Sequence, residues 1–131
     1  MNTMNQTNES TFRYKNATQQ INGDEWTVTA FTGTKGIDLG IQLLSLLGDS
    51  IFELLTKQDK TIDDNELKSA FKPLFANLKE HNVSQFIKEL LSNTLKNGKA
   101  INFDIDFSAN YKTLMQVLAF IIKTNYADFF G

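Results

Sequence analysis

The 131-residue chain is 41% apolar and 11% aromatic, with 11 Phe and a single Pro, a composition that buries one real core and argues against disorder or low complexity. It has no Cys and one His, His81, which excludes disulfide scaffolds, thiol nucleophiles, thiolate metal sites and multi-histidine centres. Thirteen basic against fifteen acidic residues give a net charge of −2, and because every basic residue except Arg13 is Lys, neither a basic stripe nor guanidinium forks are on hand for nucleic acid.

Residues 1–11, rich in Asn, Thr and Gln, read as a disordered tail, and 12–131 as a single globular domain. The tail has no apolar h-region, and the most apolar stretch, Gly36 to Leu55, is interrupted by Asp38, Gln42, Asp49 and Glu53, so neither export nor a membrane span is expected. Phe12 to Ile21 and Trp26 to Phe31 flank Asn22-Gly23-Asp24-Glu25, and Trp26, Val28 and Ala30 alternate with Thr27 and Thr29. This is a β-hairpin signal, with the register open between a two-residue Asn-Gly turn and a longer loop from Asn22 to Glu25.

Thr32-Gly33-Thr34-Lys35-Gly36 is a connector, since the spacing of a phosphate-binding loop is absent. A helix is predicted from about Ile37 to Leu55. Its Leu39, Ile41, Leu43, Leu44, Leu46, Leu47, Ile51, Phe52, Leu54 and Leu55 lie on too many sides for one stripe. It is therefore either a central core helix wrapped by the others or one partly covered by a second protein chain. Gly36, Gly40 and Gly48 would admit another backbone, so self-association through this helix is expected.

Asp63 with Glu66 forms a capping box and Ile62 with Leu67 a hydrophobic staple, opening a helix with Leu67, Phe71, Leu74, Phe75 and Leu78 inward and Pro73 as a kink. Asp59, Thr61 and Asp63 resemble the start of a calcium loop, but Asp64 and Ala70 stand where that loop requires Gly and Glu. His81 lies between two helices with no nucleophile beside it, as a solvated or capping residue. Asn82 with Gln85 starts another helix, with Val83, Phe86, Ile87, Leu90, Leu91 and Leu95 inward and Asn97-Gly98 as its stop.

Ile101, Phe103, Ile105 and Phe107 alternate with Asn102, Asp104 and Asp106, which predicts a strand with an acidic outer face that pairs with the hairpin. Asp104 and Asp106 share a side but lack a third ligand, so they read as a solvated face. A last helix from about Asn110 to Asn125 leads into Tyr126-Ala127-Asp128-Phe129-Phe130-Gly131, whose paired Phe either dock in the core or bind something. The fold class is α+β: a small antiparallel sheet, the N-terminal hairpin plus one later strand, packed with about four helices. No catalytic, cofactor-binding or metal-binding residue is assigned, and an enzyme is not expected.

Trp26-Thr-Val-Thr-Ala-Phe-Thr-Gly-Thr-Lys-Gly36, the Leu-rich helix through Gly48, Ile101-Asn-Phe-Asp-Ile-Asp-Phe107, Tyr111-Lys-Thr-Leu114 and Asn125-Tyr-Ala-Asp-Phe-Phe130 together resemble a family of tail assembly chaperones of long-tailed bacteriophages. The resemblance runs roughly from Tyr14 to the end. It implies a non-catalytic protein of the host cytoplasm that binds the tape measure protein, the helical ruler inside the tail, and keeps it soluble while tube subunits polymerise. The implied partners are the tape measure protein, the tail tube protein and further copies of the chain, without cofactor, nucleic acid or membrane. Ile37, Ile41 and Leu44 on the Leu-rich helix and Tyr126, Phe129 and Phe130 at the C-terminus are the expected contacts. The residues leave open two other roles: a minor structural component of the tail or connector, and a small inhibitor of a host enzyme.

Overall fold

A β-hairpin opens the fold. β1 (Asn16–Ile21) and β2 (Asp24–Thr29) pair antiparallel with Ile21 opposite Asp24, so the connection is the two-residue Asn22-Gly23 turn. Both turn residues have positive φ, 51° and 88°, as the mirror-image turn that matches strand twist requires. The computed structural model describes residues 15–51, 63–76 and 82–130, with side chains through Ala127. Trp26 and Val28 are buried on one face of β2, as the alternation demands.

The sheet continues with strands that the sequence reading placed elsewhere. Its order is β1-β2-β3-β4, with β3 (Thr94–Lys96) antiparallel to β2 and β4 (Lys99–Ala100) antiparallel to β3. The predicted helix from Asn82 through Leu95 is instead α3 (Val83–Leu90) followed by a 3-10 turn at Leu91–Asn93. Asn97-Gly98, expected to stop a helix, is a second hairpin turn with both φ positive, 51° and 77°. Asn97 fixes that turn against the first hairpin. Its backbone N–H donates to the Glu25 carbonyl at 2.6 Å, its Oδ1 accepts from the Glu25 N–H at 2.8 Å and its Nδ2 donates to Asp24 at 2.9 Å.

The predicted strand from Ile101 to Phe107 is a helical turn, α4 (Phe103–Asp106). Local capping outweighs the alternation. The Asn102 side chain accepts from the Ile105 N–H at 3.2 Å, while the Asn102 N–H donates to the Asp106 carboxylate at 2.8 Å. Ile105 is consequently 72% exposed, whereas Phe107 is buried and stacks on Trp26 with ring centroids 5.7 Å apart. The α+β class stands, with the later strands drawn from Thr94–Ala100.

α1 (Gly33–Leu47) starts at Gly33, capped by the Thr32 hydroxyl, and ends at Gly48, whose φ of 55° suits glycine. The expected continuous helix to Leu55 is thus interrupted at Gly48, and its Phe52, Leu54 and Leu55 lie outside the described residues. α2 (Asp64–Ala76) carries the predicted capping box: the Glu66 N–H donates to Asp63 Oδ1 at 2.8 Å and the Asp63 N–H to Glu66 Oε1 at 3.2 Å. Ile62, Leu78 and His81 lie outside the described residues. α5 (Tyr111–Phe130) is the helix at the centre: Leu114, Val117, Leu118, Ile121 and Ile122 are all buried, and it packs against α2, β1 and β2. A Lys112–Asp64 ion pair of 2.9 Å joins α5 to α2 at the surface, and Asn22 Nδ2 donates to Thr113 and Gln116 of α5.

Candidate functional site

α1 has two apolar faces and covers only one. Leu39, Gly40, Leu43 and Leu47 point into the core. Ile37, Ile41 and Leu44 are 65%, 62% and 38% exposed. Their spacing of four and three places them in one row about 10 Å long. Three adjacent branched apolar side chains in water are unfavourable for an isolated domain, and an uncovered row of this kind marks an interaction surface.

The row borders a groove of about 580 Å3 whose other walls are the connector from Ala30 to Gly33 and the end of α5, at Asn125 and Tyr126. Two hydrogen-bonding devices hold these walls together. The Phe31 N–H donates to Asn125 Oδ1 at 2.8 Å while Asn125 Nδ2 donates to the Ile121 carbonyl at 2.9 Å, which locks the amide between strand end and helix. The Tyr126 hydroxyl donates to the Gly36 carbonyl at 2.6 Å. Burial pushes that hydroxyl's pKa up to about 12 from 10.0, because the phenolate would lose its water.

The glycines of α1 serve the chain's own packing. A Cβ at Gly40 would stand 3.2 Å from the Tyr126 ring, so Gly40 makes room for that tyrosine. A Cβ at Gly36 would meet Phe31 at 3.7 Å, and Gly48 ends the helix. The close approach anticipated from their spacing is made at Gly40 by a side chain of α5.

Of the six contacts expected from sequence, Ile37, Ile41, Leu44 and Tyr126 meet in this groove. Tyr126 is only 6% exposed and forms a wall rather than a projecting anchor. The side chains of Phe129 and Phe130 lie outside the described residues. Phe31 and Asn125 were missed as groove residues: an aromatic in a strand-to-helix connector and an Asn inside an apolar helix are the signals that mark them.

Asp106 makes structural contacts, and Asp59, Thr61 and His81 lie outside the described residues. Asp106 accepts from Lys96 at 3.3 Å and from the Asn102 backbone, and Lys96 also lies 3.9 Å from Asp24. Among the described residues, no group of three or more His, Cys, Asp or Glu could hold a metal ion, and no helix is long and apolar enough to cross a membrane. A family model described as phage tail assembly chaperone protein, TAC, matches residues 22–131. No curated protein and no solved structure matches the chain.

Proposed function

Since the chain belongs to the phage tail assembly chaperone family, we propose that it binds the phage's tape measure protein in the host cytoplasm and keeps it soluble while the tail tube forms, without catalysing a reaction. The exposed row of Ile37, Ile41 and Leu44 beside the Tyr126 wall supports this reading above all. An amphipathic helix lays its apolar face into such a groove and presents anchors at i, i+3, i+4 and i+7. Each isoleucine covered would contribute roughly 1–2 kcal/mol. Phe129 and Phe130 are proposed to extend the contact beyond Tyr126, and the tail tube protein to be a further partner.

Co-expression provides the test. Tape measure protein should stay soluble with the native chain and precipitate with Ile37→Asp or Ile41→Asp, substitutions at exposed positions that leave the fold intact. Equal solubility with and without the chain refutes the chaperone reading. Fixed copy number in purified virions would replace it by a structural role in the tail. The same row would also serve a second copy of the chain: self-association is expected at high micromolar concentration, and a strict monomer in sedimentation removes it.

A further inference from the structure

We propose that the bound segment extends past the α1 row and carries carboxylates beside its apolar anchors, following a track from Ile37 across Thr32 to Leu95 and Phe103; this rests on the tape measure reading above. The groove on α1 shares Ala30 and Thr32 with a second depression of about 370 Å3, walled on its far side by Ser92 and Leu95. That depression shares Ser92 and Leu95 with a third of about 330 Å3, which reaches Ile101 and Phe103. Leu95 stands at the junction and is 41% exposed, although it belongs to a sheet strand. An apolar partner surface therefore has a continuous path across three elements.

The charges along the path fix the chemistry of the occupant. Lys88 is the one charged residue among those walling the three depressions. Lys35 reaches over the boundary between the first two, donating to Ser92 Oγ at 2.5 Å with its ammonium 5.4 Å from the Phe31 ring. Lys88 likewise lies 5.4 Å over Phe103. Neither has a carboxylate partner among the described residues, whereas Lys96 and Lys112 are both paired with aspartates. A chain of net charge −2 thus borders its apolar track with unneutralised cations held on aromatic rings. The segment that complements this surface has Asp or Glu flanking its apolar face, and a basic amphipathic segment is disfavoured.

The experiment uses the full chain and overlapping synthetic peptides of the phage's tape measure protein. Calorimetry measures the affinity of the tightest peptide at about 50 and 500 mM salt, since the screening length shortens several-fold over that range. Lys35→Met and Lys88→Met remove the charges but retain the apolar stems over the rings. The expected result is that the double variant binds at least tenfold more weakly at low salt and loses the salt dependence of the native chain, and that Leu95→Ser weakens binding several-fold. If the Lys and Leu95 variants bind like the native chain while Ile37→Asp abolishes binding, the extended acidic track is wrong and the chaperone reading survives. If Ile37→Asp also binds normally, or no peptide binds, both fall.

Discussion

Replacing Tyr126 by Phe removes one oxygen from the wall of the groove, and the structure assigns that oxygen two effects of opposite sign. At neutral pH the variant loses the 2.6 Å hydrogen bond to the Gly36 carbonyl and keeps the ring in place over Gly40, so it should be less stable by about 1 kcal/mol. At alkaline pH the native hydroxyl becomes a liability. Its pKa is 10.0 in the unfolded chain and about 12 in the folded one, so its contribution is complete below pH 10 and is lost as pH rises towards 12. At pH 11, midway between, the native protein has lost on the order of 1 kcal/mol through this group. The gap between the two proteins should therefore close as pH rises towards 11. All other titrations are common to both and cancel in the difference. Urea unfolding followed by far-ultraviolet circular dichroism at pH 7, 9, 10 and 11 measures that difference. A constant gap across the series, or no gap at pH 7, would refute the claim that this hydroxyl is buried and bonded in the fold.

Three further outcomes follow from the packing. Thr94→Val should stabilise the fold by about 1 kcal/mol in the same urea assay, because Thr94 Oγ1 is buried with no hydrogen-bond partner among the described residues and its desolvation is uncompensated. Asp63→Ala should lower the midpoint by about 1 kcal/mol equivalent through loss of the reciprocal cap with Glu66. Phe107→Ala should cost about 3–5 kcal/mol, since it empties the space against Trp26 and Phe103; a loss below 1 kcal/mol in calorimetry would contradict the burial described.

The elements legible in the sequence were those whose signals are local and unopposed. The Asp63–Glu66 box and the apolar run of α5 each carried one meaning, and the alternating strands around Asn22-Gly23 marked a hairpin while leaving its register open. The errors arose where two local signals competed. Asn97-Gly98 suits both a helix stop and a hairpin turn, and the pairing of Trp26 with Lys96 and Val28 with Thr94, contacts remote in sequence, decided for the turn. Ile101 to Phe107 alternates well enough for a strand, yet Asn102 and Asp106 satisfy the backbone of a helical turn from within. Of the candidate site, the apolar surplus of α1 was visible from its sequence, and Ile37, Ile41 and Leu44 stood among the expected contacts. That Gly40 accommodates Tyr126 was not, because the two residues are brought together only by the packing of α5 on α1.

The walls of the groove are contributed by segments far apart in the chain: Phe31 and Asn125, bonded to one another, stand 94 residues apart in sequence. A groove assembled this way does not exist until both segments have been made. Synthesis must pass Tyr126 before its ring can settle on Gly40, and the large sequence separation slows that docking relative to formation of the hairpin. Trp26, the protein's sole tryptophan, stacks on Phe107, another contact remote in sequence, so a stopped-flow trace of tryptophan emission times the docking of that segment on the hairpin.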